Sequence, residues 1–276
     1  MNRIKKGNIV GRKSYKKDIM FIVKNIINTK NGDIAILKGI IDRIEADSDI
    51  EDLEIISKKD IQERLKNTDR KFDEKIKKAN VMDNMNLKDK RNREIIKTGK
   101  ILHLDGDRKY SEKSYHYYKK LGLNAIVKNI PEYRQPKIVY QLLQTYRPDI
   151  LVITGHDGML KKHSGYKDLY NYRNSRYFIK TVQEARRYDI ENNNNLVIFA
   201  GACQSYFEAL ISAGANFASS PARILIDFLD PIIVAETVAS TDIYKYITIE
   251  DIERDLRDGR KGVDGIGANG KMLRKF

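Results

Sequence analysis

His156 and Cys203 are the two residues whose types and placement could do chemistry together. His156 follows the run Ile150-Leu-Val-Ile-Thr154, and Cys203, the single cysteine, follows Leu196-Val-Ile-Phe-Ala200. Both runs are short, apolar, rich in β-branched residues and broken by glycine, as strands buried in a parallel sheet are. Reacting groups gather at the carboxyl ends of such strands. A thiolate is a strong nucleophile, and a nearby imidazolium lowers the thiol pKa and can protonate a leaving amine. The stretch Gln204–Ala213, closed by Gly214, predicts a helix that begins directly after Cys203. Its positive N-terminal end would favour the thiolate further.

Taken singly, a lone cysteine is most often a small buried apolar residue, and a lone histidine after a strand is most often structural. Together at two strand ends, with glycines beside both and 47 residues between them, they point to a cysteine peptidase. In caspases the histidine precedes the cysteine by about 50 residues. His103 lies within a strand and is expected to pack beside the sheet, and His116 falls on a helix face. His163, in a polar loop, is the rival base. The His156–His163 spacing is not a usual ligand pair and a second thiol is missing, so no metal is expected, nor any other cofactor.

Several segments carry a resemblance: Lys100-Ile-Leu-His-Leu-Asp-Gly-Asp107, Thr154-Gly-His-Asp-Gly158, Phe199-Ala-Gly-Ala-Cys-Gln-Ser205 and Ser219-Ser-Pro-Ala-Arg-Ile224. With Lys5–Tyr15 and Ala35–Gly39 they resemble the YabG family, sporulation-specific proteases of spore-forming Firmicutes, over nearly the whole chain. The resemblance implies a cysteine endopeptidase that favours arginine before the scissile bond, with His156 and Cys203 at the matching catalytic positions. It also implies spore coat and cortex-associated substrates in the mother cell. One feature departs from the wider caspase and clostripain-like group. The usual His-Gly pair is here His156-Asp157-Gly158, which leaves the exact oxyanion donor open; the backbone N–H groups of Gly158 and Cys203 are the expected ones. An arginine pocket needs a carboxylate, because a buried guanidinium requires a charge-assisted partner. Asp105 and Asp107, at the end of an earlier strand, are the candidates, with Asp157 behind them. The alternative for the first two is a turn-forming Asp-Gly.

The elements that must position these residues follow in order. Residues 1–57 read as short strands with the hairpin signal Asn31-Gly32, a small SH3-like β-barrel. Residues 58–98 read as a charged helical linker, with Ile61, Leu65, Phe72, Ile76 and Ala79 at helical spacing. Arg91 and Arg93 there are candidate self-cleavage sites. Residues 99–276 alternate strand and helix, which predicts a caspase-like α/β domain with a mostly parallel sheet and helices on both faces. Strands are expected at Ile101–Leu104, Ala125–Val127, Ile150–Thr154, Leu196–Ala200, Asn216–Ser219 and Ile232–Ala235. Helices are expected at Ser111–Leu121, Glu132–Tyr146 and Asn174–Tyr188. The run Gly262–Gly267 does not sit between a strand and a helix, which argues against a nucleotide loop.

A single cysteine in 276 residues excludes a disulfide framework, and no apolar run is long enough to span a membrane. Without a visible signal peptide, a cytosolic protein is expected. Half of the net charge of +14 falls in residues 58–100, with 15 basic and 8 acidic residues. That segment reads as a solvated helix, and with few aromatics it is no stacking platform for bases. The competing reading is a non-catalytic basic protein that binds nucleic acid or an acidic spore-coat partner. A flavodoxin-like small-molecule hydrolase is a third.

Overall fold

The computed structural model describes residues 3–87, 95–160 and 165–275. The chain opens with β1 (Ile9–Arg12), β2 (Phe21–Thr29), β3 (Gly32–Gly39), β4 (Glu45–Asp49) and β5 (Leu53–Ile55). They form one antiparallel sheet in the order β4-β3-β2-β1-β5, which leaves β4 and β5 at its edges. The β2–β3 turn is Lys30-Asn31, with Thr29 opposite Gly32. Gly32 has φ +117°, a conformation that glycine adopts without steric cost. Val10, Phe21, Val23, Ala35, Leu37 and Leu53 fill the inner face. Along β3, buried Ala35, Leu37 and Gly39 alternate with less buried neighbours, the period of a half-buried strand.

Helix α1 (Lys58–Leu87) follows, 30 residues long. Its first half is anchored at both sides. Arg64 donates to the Lys17 carbonyl at 2.8 Å, and Asp69 pairs with Lys113 at 2.8 Å. The rest of the chain runs β6 (Ile95–Lys97), β7 (Ile101–Asp105), α2 (Arg108–Lys120), β8 (Ala125–Asn129), α3 (Gln135–Tyr146) and β9 (Ile150–Thr154). Then come α4 (Ser175–Asn192), β10 (Val197–Ala200), α5 (Phe207–Ser212), β11 (Phe217–Ser219) and α6 (Asp230–Ser240). Four short strands close it: β12 (Tyr246–Ile247), β13 (Val263–Gly265), β14 (Ala268–Asn269) and β15 (Leu273–Lys275). β15 pairs with β6.

The larger sheet has the order β13-β11-β10-β9-β7-β8. β8, β7, β9, β10 and β11 are parallel, and β13 runs antiparallel at the edge. The chain is therefore mixed α/β with a mostly parallel sheet. Its two faces carry separate cores. Leu102, Leu104, Leu151, Ile153 and Ile198 pack with residues of α3, α4 and α5. Ile101, Ile150, Val152 and Phe199 pack with α2, α6 and the C-terminal residues.

Ile232–Ala235 is not a strand: it lies inside α6, with Pro231 in the first turn. A short apolar run looks the same in a buried strand and a buried helix. Here Ile232, Val234, Ala235, Val238 and Ala239 are buried, while the less buried Ile233, Glu236, Thr237 and Ser240 recur at helical spacing, a period that a four-residue apolar run is too short to show. Gly262–Gly267 contributes the edge strand β13.

By sequence order the five parallel strands stand second, first, third, fourth, fifth across the sheet. That order reverses between β7 and β9, and the crevice beyond the carboxyl ends at such a reversal is where open α/β sheets bind ligands. Asp105 ends β7 and Thr154 ends β9. Among the described residues, no helix is long and apolar enough to cross a membrane.

Candidate active site

The His156 loop leaves β9 through Gly155. Glu132 Oε1 accepts the His156 N–H at 2.8 Å, and a Cβ on Gly155 would stand 2.3 Å from that oxygen. Glycine is therefore what lets this carboxyl reach the loop. Asp157 then binds the loop into its surroundings. Its Oδ1 accepts the N–H groups of Gly158 (2.9 Å) and Asn174 (2.8 Å). Its Oδ2 accepts the hydroxyls of Ser205 (2.9 Å) and Ser175.

The Cys203 loop leaves β10 through Gly201, at φ +113°, and Gln204 follows the cysteine at φ +57°. A left-handed glutamine is sparsely populated and persists only where surroundings over-determine it. Here the Gln204 N–H donates to Ser220 Oγ at 3.0 Å, and its Oε1 accepts the Met159 N–H at 3.2 Å. Ser205 and Gln204 thus tie the cysteine loop to the histidine loop, and the two strand ends form one hydrogen-bonded frame.

Helix α5 begins at Phe207, not Gln204, and is six residues long. Cys203 lies in the preceding turn, so no helix end acts on the thiol directly. Burial dominates instead. Cys203 is fully buried, and burial pushes its thiol up to about 12, with the backbone of Ile226 pulling the other way. The sulfur accepts the Ile226 N–H at 3.4 Å and packs into the apolar cluster of the antiparallel sheet, with Phe21, Leu37, Ile44 and Ile226. His156 is also fully buried, and neither ring nitrogen has a hydrogen-bond partner. Its pKa is lowered to about 3 by burial and then by Lys38, with Asp107 opposing. In this arrangement both groups are neutral at pH 7.

The cover is the β3–β4 connection, residues 40–44. Arg43 Nη1 lies 2.9 Å from Asp105 Oδ2, with the side chains 1% and 0% exposed. Asp105 also accepts the Thr154 hydroxyl (2.7 Å) and the Asp107 N–H (2.8 Å). Burial raises its pKa, with the Arg43 guanidinium the main opposing influence. Asp107 caps α2, accepting the Lys109 N–H at 2.9 Å, and pairs with Lys38 at 2.9 Å. Asp157 contributes its backbone to the cover. Its carbonyl accepts the Glu45 N–H at 2.7 Å, and its N–H donates to the Arg43 carbonyl at 3.4 Å.

Residues 5–276 match the family model described as YabG peptidase U57. The chain belongs to this peptidase family. It is 40% identical over 280 residues to the "Sporulation-specific protease YabG" of Bacillus subtilis (strain 168), covering 96% of this chain and 95% of that one. No solved structure matches.

Of the three acids expected to read arginine, the structure places only Asp105 against a guanidinium. Asp107 faces a lysine, and the Asp157 carboxylate is occupied by four donors of the frame. The Gly158 N–H is turned to the Asp157 side chain, so beside the histidine it is the Asp157 N–H that meets a carbonyl. His103 is buried between Thr154 Oγ1 (2.8 Å) and Tyr118 Oη (3.2 Å). His163, Arg91 and Arg93 lie outside the described residues. Among the described residues no cluster of three or more His, Cys, Asp and Glu is placed to hold a metal ion.

The sequence reading passed over Arg43, Glu132, Ser175 and Ser205. Glu132 is raised to about 7 by burial, with the His156 N–H opposing. Its place under the histidine loop has no local signature. Arg43 carried one: it is an arginine between Ile40-Ile41 and Ile44, in a β-rich stretch of a chain read as arginine-selective.

Proposed function

We propose that the chain is a cysteine endopeptidase that cleaves after arginine, with a His156–Cys203 dyad on a caspase-like sheet. Residues 1–57 form its small β module, 58–98 its helical linker and 99–276 its protease domain. Spore coat and cortex-associated proteins in the mother cell are its substrates. The observation that carries the reading is the frame that joins the two loops at adjacent strand ends. Ser205 and Gln204, beside the cysteine, bond Asp157 and Met159, beside the histidine. Arginine preference is supported by the buried Asp105 carboxylate at the neighbouring strand end, already holding a guanidinium.

In the working state His156 takes the Cys203 proton, and the thiolate attacks the carbonyl carbon that follows the arginine side chain. Charge then develops on the carbonyl oxygen. The N–H groups of Asp157 and Cys203 are the donors for it, each worth on the order of 3 kcal/mol. As the C–N bond breaks, His156 returns the proton to the leaving amine. Water, deprotonated by His156, then hydrolyses the thioester.

Cleavage of a short arginine-ended fluorogenic peptide by wild type, Cys203→Ala and His156→Ala tests this. The expected result is activity that only the wild type shows. Equal cleavage by wild type and Cys203→Ala would overturn the reading.

A further inference from the structure

The β3–β4 connection crosses the cleft in the way a peptide substrate would. Arg43 presents its side chain to Asp105 in the crevice where the parallel strand order reverses. The carbonyl of the same residue accepts the N–H of Asp157, next to His156. The backbone then pairs onward: Ile44 bridges Asp157 in parallel register, and the Glu45 N–H reaches the Asp157 carbonyl at 2.7 Å. Such main-chain pairing beside a side-chain pocket is how an extended peptide adds itself to a sheet. Gly158 fits the same picture, since a Cβ there would stand 2.0 Å from the Glu45 carbonyl oxygen. That glycine leaves a floor on which another backbone can lie.

The pair in the pocket is also incompletely bonded. Arg43 Nη2 reaches the Phe228 carbonyl at 3.3 Å, but Nε has no partner. A buried ion pair adds little to stability compared with apolar packing, so packing alone gives no reason for an arginine here. Beside it lies a cavity of about 330 Å³ lined by Ile41, Asp42, Tyr110 and Phe228, among others. Both reactive groups lie near the same segment: Ile44 packs in the cluster that encloses the Cys203 thiol, and the Arg43 guanidinium is one of the charges that lower the pKa of His156.

We propose that residues 40–45 are a built-in inhibitory loop that lies in the substrate cleft, with Arg43 in the arginine pocket on Asp105 and the Arg43–Ile44 peptide where the scissile bond would lie. The inference rests on the arginine-selective cysteine-peptidase reading. The loop is held at both ends by strands β3 and β4, with Lys38–Asp107 and Arg173–Asp47 (2.6 Å) clamping their flanks. A tethered occupant acts at an effective concentration on the order of millimolar. Substrates therefore meet an open cleft only in the fraction of molecules whose loop has lifted.

The test uses the full chain and three readouts on wild type and Arg43→Ala. Native alkylation of Cys203 by iodoacetamide is expected to be at least about tenfold faster in the variant, because the open fraction rises. Agmatine, a small guanidinium, is expected to raise the Tm of Arg43→Ala and to slow its alkylation, leaving wild type unmoved. Butylamine at the same concentration does neither. The kcat/KM for an arginine-ended peptide rises at least about tenfold in the variant, and agmatine inhibits it. If Arg43→Ala does not fold, Arg173→Ala leaves the buried pair intact, cuts the outer clamp, and is expected to speed alkylation in the same direction.

Slow, wild-type-like alkylation of a folded Arg43→Ala, or no effect of agmatine on it, would reduce the pair to a structural contact and overturn the proposal. Wild type as active as the variant would do the same while leaving the peptidase reading intact. Fast alkylation and agmatine binding with no peptide cleaved would instead uphold the occupied pocket and remove the peptidase reading.

Discussion

The two sheets bury their polar residues differently. Along β2 of the antiparallel sheet, polar side chains fall on a wet face: beyond Val23 the strand is mostly exposed, with Lys24, Asn25, Asn28 and Thr29 in solvent. In the parallel sheet every residue of β7, β9 and β10 is buried. Water cannot solvate His103, Asp105 and Thr154 there, and each has a partner. A polar residue on a half-buried strand needs no explanation, whereas one in a strand buried on both faces does. The contrast singles out Asp105, whose charge partner comes from the other sheet.

The largest expected effect breaks that contrast at its charged point. Asp105→Asn should lower kcat/KM for arginine-ended peptides by roughly a hundredfold or more, the scale of truncating one partner of a buried charge pair. It should also abolish preference for arginine over glutamine. Asp107→Asn, whose carboxylate faces Lys38 and the start of α2, should stay within about tenfold because its pair is partly solvated. Asn28→Ala on the wet face should change neither. Equal losses for Asp105→Asn and Asp107→Asn would mean that burial does not single out the arginine-reading acid.

Acid stability sharpens the comparison next, because the displaced titrations cluster around the parallel sheet. His103 and His156 are both lowered to about 3 by burial. Between pH 6.5 and 3 the unfolded chain therefore binds protons that the folded chain refuses, and stability falls as pH falls. Glu132 is raised to about 7 and Asp157 to about 6, again by burial. These work in the opposite direction: between their ordinary values and the raised ones the folded chain holds the extra proton. The two pairs offset each other from about pH 6 to 4.5, and below that the histidines act with less and less opposition. Urea midpoints should therefore hold nearly level from pH 6 to 4.5 and drop from 4.5 to 3. His156→Gln should shallow that drop. An unchanged slope in His156→Gln would show that the buried imidazole is not its source.

The same contrast explains what the sequence could tell. Continuous apolar runs such as Ile150–Thr154 gave the parallel strands nearly to the residue, and Asn31-Gly32 marked the β2–β3 hairpin, because strand period and turn chemistry are local properties. Ile232–Ala235 was misread because four apolar residues show no period, and the polar stripe of the helix, Glu236, Thr237 and Ser240, lies beyond them. The helix start after Cys203 was misplaced because the turn Gly201–Ser205 is stabilised by contacts with Ser219, Ser220 and Ile224, which are distant in sequence. His156, Cys203 and Asp105 could be named because strand ends can be located. Glu132 could not, since its place depends on how a loop passes a helix start, and for Arg43 the local signal of an arginine among isoleucines does not say which acid it meets, which depends on how one sheet docks on the other. Periodicity carries no record of docking.

The smallest effect separates the sheets through a pair of serines, both bonded to aspartates. Ser205 Oγ is buried and donates to Asp157 Oδ2 at 2.9 Å while accepting the Ala202 N–H at 2.9 Å. Ser14 Oγ donates to Asp52 at 2.7 Å in solvent. Ser205→Ala leaves a buried carboxylate oxygen and a buried N–H each short of a partner, at a cost of about 1–3 kcal/mol. Ser14→Ala lets water take the vacated place and should stay within about 0.5 kcal/mol. Because the Ser205 bond also joins the two loops, its loss should lower kcat more than it raises KM, whereas Ser14→Ala should leave both alone. Equal shifts of the urea midpoint in the two variants would mean that the frame between the loops is no more than a surface contact, and that the proposed dyad is positioned by the strands alone.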